Sequence, residues 1–192
     1  MDMNRLLLGV LLFSSTHLAM VAAPALRQKI TASIGTAPWK GLFSLLQLLA
    51  LYLMISGWGS ASALAVYTPI DWSRFPTAVL VLAGIVLFFA PYPPNNFRRM
   101  LRHPQLVGVL CWGTGHLLSN GDSRSLLLFG GLAAWSVLQI YFLNQRDPSW
   151  NRPKRALYLY DILLVLFGII VYLLLANFHS QMFGVTPFPN IP

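Results

Sequence analysis

Apolar positions fill this chain in six stretches of about 15 to 21 residues, and the polar segments between them carry most of its charge. A hydrocarbon core about 30 Å thick takes about 20 residues of α-helix to cross, so the pattern predicts spans at residues 6–23, 41–59, 76–92, 106–120, 125–143 and 157–177. The fourth is short and is joined to the fifth by 119–124, SNGDSR, where Asn120-Gly121 favours a tight reversal; the two form a helical hairpin. The second span has room to extend through the small residues 60–65 toward Tyr67, and Trp58, Tyr67 and Trp72 suit an interfacial belt there. The expected fold class is therefore all-α: a polytopic integral membrane bundle of six helices in a single domain over 1–192, with a Pro-rich tail at 181–192 that holds Pro187, Pro189 and Pro192.

Composition agrees. The chain is 56% hydrophobic and 9% charged, and it contains no glutamate. Its mean hydropathy is +0.63, whereas soluble domains carry about 25% charged residues. Charge fixes the orientation, because cations near span ends accumulate on the cytoplasmic side. Arg27, Lys29 and Lys40 follow span one; Arg98, Arg99 and Arg102 follow span three; Arg146, Arg152, Lys154 and Arg155 follow span five. Those ten lie on one side, while Arg5, Arg74 and Arg124 on the other are offset by Asp2, Asp71 and Asp122. Both termini are thus expected outside, and the net charge of +8 reflects topology and attraction to anionic lipid rather than nucleic-acid binding. A secretory signal ending at Val21-Ala22-Ala23 is the rival reading of span one; an uncleaved helix fits better, because cleavage would send the basic 27–40 loop outside.

Chemistry is sparse. One cysteine, Cys111, excludes an internal disulfide, and no nucleotide-binding glycine loop, HExxH, GxSxG or Asp-rich metal signature occurs. What stands out is an ionisable ring inside each of two spans, His17 and His116. A neutral imidazole in hydrocarbon needs hydrogen-bond partners or a metal. Counted from the predicted span starts, both lie near the midplane, on antiparallel helices, so that one pair of imidazoles could face across a cavity. Trp112, Gly113, Gly108 and Asn120 share the stripe of His116; its glycines would leave room for a flat macrocycle, and neutral imidazole is a common axial ligand of haem iron. The bland alternative stays open: glycines serve close helix packing, and Ser14, Ser15, Gln47 and Gln139 are polar groups able to satisfy the rings without a metal. Among the remaining polar residues, His103 before Pro104 reads as an interfacial ring at a helix start, and Asp122 as a cap for 123–125 or a partner of Arg124. Asp161 reads as a boundary charge with Lys154 and Arg155 in reach, and His179 as an outer interfacial ring.

The run Arg102-His103-Pro104, Gly108, Trp112, His116-Leu117-Leu118, Asn120-Gly121-Asp122, Ser125-Leu126 and Phe129-Gly130 resembles the signature of the NnrU family of bacterial membrane proteins. Trp39-Lys40-Gly41-Leu42-Phe43-Ser44-Leu45 and His17 also match that pattern, over at least residues 5–145. The resemblance implies a multi-pass protein of the bacterial inner membrane associated with nitrite and nitric oxide metabolism, with respiratory or denitrification membrane proteins as partners. That family in turn is similar to the plant 15-cis-zeta-carotene isomerase, a haem b enzyme acting on a lipophilic polyene. The likeness implies His17 and His116 as ligands of haem b iron. The isomerase has a further histidine in a later helix; here that stretch is Ala133-Ala134-Trp135-Ser136-Val137-Leu138, which weighs against polyene isomerisation. Three expectations follow: a haem-binding NnrU-like protein, a haem-dependent cis-trans isomerase, or a non-enzymatic accessory protein whose histidines pack the bundle.

Overall fold

A computed structural model describes residues 2–187; Pro189 and Pro192 of the expected tail lie outside the described residues. Its elements are α1 (Asp2–Ala22), α2 (Pro24–Ile34), α3 (Thr36–Ser60), a 3-10 turn (Asp71–Ser73) leading into α4 (Arg74–Phe89), α5 (Phe97–Met100), α6 (Pro104–Ser119), α7 (Ser123–Arg146) and α8 (Tyr158–Phe183). Among the described residues, β pairing is limited to one isolated bridge, Ala65 with Asp122, and five helices are long and apolar enough to cross a membrane. The chain is a multi-pass helical membrane bundle. The remaining expected span, the fourth, is α6, which has 16 residues, about 24 Å of helix.

The expected spans sit within a few residues of the observed helices, with two differences. The stretch expected as a loop after span one contains α2, begun by Pro24 at its first turn, where the missing N–H costs nothing. Helix α3 stops at Ser60, and residues 61–70 run over one end of the bundle instead of extending it; this end is labelled outer, and the opposite one inner, after the side each would take by the charge distribution.

In space α1 lies between α3 and α7, α6 between α7 and α4, and α8 packs against α4. Water does not drive this association in lipid, so close backbone contact must. Small residues supply it. A Cβ on Gly84 would sit 2.8 Å from Gly108 O, and one on Gly108 would sit 2.6 Å from Gly84 O. Gly9 and Gly57 bring α1 against α3 in the same way, and Gly113 brings α6 to within 2.7 Å of Phe129 O on α7. The apolar cores are correspondingly small: Leu6, Val10, Met54 and Leu132 form one cluster, and Val86, Ala90 and Leu164 another.

Helix α7 is not uniform. Leu126–Gly130 form a π-helical turn, after which regular α-helix resumes. Such turns rotate the following side chains relative to the preceding ones and recur beside functional sites. Here the turn carries Phe129, which meets α6.

Gly108→Val should cost about 1–3 kcal/mol or prevent folding, because the added atoms meet backbone rather than a movable side chain. Gly59→Ala, whose Cβ meets nothing within 4 Å, should be tolerated. Detergent-solubilised melting of the two variants checks this.

Candidate functional site

The outer end is closed by the sequence Asn120-Gly121-Asp122. Gly121 O accepts from the N–H groups of Val66 (2.8 Å) and Tyr67 (3.0 Å), and Ser123 N donates to Leu64 O at 2.8 Å. Tyr67 Oη donates to the carbonyls of Leu117 and Asn120. Burial, then the Asp122 charge, pushes the Tyr67 phenol up, keeping it the neutral donor this clamp needs. Asp122 caps α7 by accepting from Ser125 N (3.0 Å) and Oγ (2.7 Å), and it pairs with Arg124 at 3.6 Å. Both structural roles expected of it are met. No side chain is possible at Gly121, where a Cβ would collide with Tyr67 O.

The inner end is held by Arg102, His103 and Pro104. Pro104 starts α6, with His103 as the residue before it. His103 Nε2 lies 3.0 Å from Asn144 Oδ1, so Nε2 carries the proton. Arg102 donates to the carbonyls of Asp147 and Ser149 and pairs with the Asp147 carboxylate at 3.5 Å. Asp161 departs from expectation. It accepts from Asn96 N and Nδ2, both at 2.6 Å, rather than from Lys154 or Arg155; Arg155 serves Tyr158 Oη instead. The carboxylate therefore ties the 90–97 turn to the start of α8.

His116 lies between Trp112, at 5.1 Å between ring centroids, and Phe129, stacked at 4.3 Å and 18°. Its Nδ1 is 2.8 Å from Trp112 O. A carbonyl can only accept, so Nδ1 carries the proton and Nε2 the lone pair. The expected macrocycle room beside it is absent: Gly108 is filled by α4 and Gly113 by α7, which is the packing role of glycine in membrane helices. Asn120, on the same stripe, donates Nδ2 to His116 O at 2.8 Å.

His17 has the same locked tautomer, with Nδ1 2.9 Å from Phe13 O. The expected Ser and Gln partners do not hold the ring. Instead it is walled by Phe13 (4.4 Å), Phe43 (5.1 Å) and Trp135 (5.3 Å), and Trp39 leans on Phe43 at 5.8 Å. Lys40, one residue on, is exposed. Gln47 Nε2 donates to Thr16 Oγ1 at 2.8 Å. Four buried polar atoms of α1, α3 and α7 have no hydrogen-bond partner among the described residues: Ser14 Oγ, Gln47 Oε1, Gln139 Oε1 and Nε1 of Trp135, the one whose ring packs on His17. Trp135 and Gln139 are each only 7% exposed, so each unpaired group costs about 1–3 kcal/mol unless something occupies the space. A separate cleft of about 420 Å³ opens between Met20, Pro24, Arg27, Thr36 and Arg146, with Met20 three residues beyond His17 on α1.

The two histidines are not both at mid-depth. Helix α1 ends at Ala22, so His17 is five residues from its inner end, roughly 8 Å, against fifteen from its start at Asp2. His116 is three residues from the outer end of α6, roughly 5 Å. On α7, which both helices touch, their ring neighbours Trp135 and Phe129 are six residues apart, roughly 9 Å. The imidazoles share no ring neighbour, and the level between them is filled by Val10 and Leu132 with Phe13 and Trp112 packed on. Each ring alone offers an open Nε2 lone pair fit for iron; the pair does not converge on one ligand position.

A sequence model of the family described as NnrU protein matches residues 5–187. No curated protein and no solved structure matches the chain.

Gln139→Leu should stabilise the ligand-free protein by about 1 kcal/mol if the polar pocket is dry, because it removes an unpaired buried carbonyl; loss of melting temperature would instead mark an occupant that the amide holds. Hydrogen bonds from Ser149, then the Arg102 and Arg146 charges, hold the Asp147 carboxyl below its usual range. Its folded pKa is the lower one, so the contribution is fully present above about pH 4 and lost as pH falls through the folded value. Hydrogen exchange of residues 145–152, corrected for intrinsic rates, should stay constant from neutral pH down to that point and rise below it.

Proposed function

The chain belongs to the NnrU family, and on that premise we propose that it is a bacterial inner-membrane protein that binds haem b through His17. The setting is the nitrite and nitric oxide metabolism that the family resemblance implies, with respiratory or denitrification membrane proteins as partners. The observation that carries the haem reading is the state of His17. Its Nδ1 is committed to Phe13 O, no hydrogen bond among the described residues uses its Nε2, and Trp135, whose buried Nε1–H has no partner there, packs against the ring.

Each part has a physical task. The bond from Nδ1 fixes the tautomer and the ring orientation, and a backbone acceptor of this kind raises the basicity of the ligating nitrogen. Phe13, Phe43 and Trp135 exclude water and offer flat apolar walls. Trp135 Nε1–H is a free hydrogen-bond donor beside the ring, and Arg27, at the mouth of the cleft beyond Met20, suits a carboxylate. When bound, haem b supplies a redox-active iron whose behaviour follows the polarity and access of its pocket. With ten cations on the inner loops, both termini lie outside in this reading, and the mouth faces the cytoplasm.

A second reading applies to His116. Phe129 stacked on its face and the filled glycines beside it favour a ring that packs the bundle, as in an accessory protein. The polyene isomerase alternative gains no contact of its own, since 133–138 is occupied by Ala133, Trp135 and Ser136 in the α7 interior.

The protein purified in mild detergent from haem-replete cells should show a Soret band with sharp reduced α and β bands. His17→Ala should lose the band while keeping its elution profile and helical content; His116→Ala should retain it. A colourless, folded protein removes the haem reading, and equal loss in both variants would restore a shared ligand pair.

A further inference from the structure

Arg146 ends α7 with no hydrogen-bond or ion-pair partner among the described residues. It is the one lining residue common to two inner-side clefts. The second of these, about 360 Å³, opens between the start of α6 and the end of α7 and is bounded by Arg102, His103, Arg146, Ser149, Trp150 and Asn151. Its walls are built rather than incidental. Arg102 spends its guanidinium on the carbonyls of Asp147 and Ser149 and on the Asp147 carboxylate, and Ser149 donates N and Oγ to that same carboxylate at 3.1 and 2.7 Å. The acid at the cleft is thereby already neutralised. Arg146 acts on that carboxylate only through its field, with no ion pair or hydrogen bond of its own among the described residues, and Arg152 adds a second cation at the rim, its guanidinium 4.8 Å over the Trp150 ring.

We propose that this cleft binds the phosphate headgroup of an anionic phospholipid, with Arg146 as its principal contact. A guanidinium presents two N–H donors in the geometry of two phosphate oxygens, and Arg146 is the free one here. Lipid is favoured over a soluble phosphate because the cleft lies at the foot of α7, whose outward residues Val137, Leu138 and Tyr141 are 49%, 46% and 55% exposed and offer acyl chains an apolar wall. An anionic head is favoured over a choline head on two counts. The Trp150 face that could cage a quaternary ammonium is already taken by Arg152, and Asp147 is held by Arg102 and Ser149. Basic pockets between helix ends on the cytoplasmic side are suited to anionic headgroups. The inference is independent of the haem reading, since it uses neither His17 nor His116.

Native mass spectrometry of the whole protein released from bilayers of phosphatidylcholine with a minor fraction of phosphatidylglycerol tests it. The wild-type protein should retain phosphatidylglycerol preferentially, and Arg146→Gln should lower that preference about fivefold, the share of one cation near the surface. Lys40→Gln, an exposed inner cation outside both clefts, should leave it unchanged. Equal retention of the two lipids, or equal loss in Lys40→Gln, would overturn the site in favour of a general surface attraction. Thermal stabilisation by inorganic phosphate in lipid-free detergent, lost in Arg146→Gln, would assign the cleft to a soluble anion and overturn the lipid proposal.

Discussion

Contact of one helix backbone with the next, at glycines, is the interaction on which the rest of this bundle depends. Apolar surface gains nothing by leaving lipid for protein, so helices that are apolar all round associate through dispersion at close range and through a few polar bonds. Gly9 and Gly57 seat α1 on α3; Gly84 and Gly108 seat α4 on α6; Gly113 seats α6 on α7. Two tightly packed antiparallel pairs result, and α7 joins them. The outer surfaces stay apolar: on α8, Ile162, Ile170 and Leu173 are all more than half exposed, which is tolerable only against lipid.

Polar side chains hold the ends where glycine cannot. At the outer end, Gly121 O, Tyr67 and Asp122 gather the 61–70 segment, the α6–α7 turn and the first turn of α7 into one hydrogen-bonded unit. At the inner end, Arg102 holds the segment after α7, and Asp161 holds the turn before α5 against α8. Most of the residues that carry the family signature are thus accounted for by construction. Arg102, Gly108, Asn120, Gly121 and Asp122 join elements, and what they hold in place between them is α7 with its π turn and its aromatic side chains.

The two intramembrane histidines show how far sequence reasoning reaches. Their presence in apolar helices, the antiparallel sense of those helices and the place of His103 at a helix start were all legible from periodicity and charge. Their depth was not. A midplane depth follows only when each ring is measured from its span start; from the opposite ends, Ala22 and Ser119, His17 is five residues in and His116 three, one in each half. The glycines near His116 were equally ambiguous in the sequence. A small residue leaves a gap, and only the neighbour that fills it decides between a ligand slot and a helix contact; here α4 and α7 fill it. The pocket at His17 was missed for the same reason. Phe43 and Trp135 come from different helices, α3 and α7, and no local pattern links them to His17 on α1; the sequence signal was an aromatic and an amide one turn apart, at 135 and 139.

By itself the sequence determined the class of structure, the approximate spans, the polarity of the loops and the hairpin turn at Asn120-Gly121. These follow from local chemistry: apolar length against bilayer thickness, cation distribution, and the conformations open to Asn and Gly. Tertiary structure alone decided which helices are neighbours, which glycines are filled, which Asp finds Asn96 rather than a lysine, and which imidazole keeps polar atoms without partners beside it. Those outcomes depend on side chains far apart in the chain meeting at fixed depth and rotation. In a bundle whose helices are apolar on every side, periodicity does not specify that rotation; backbone contact does.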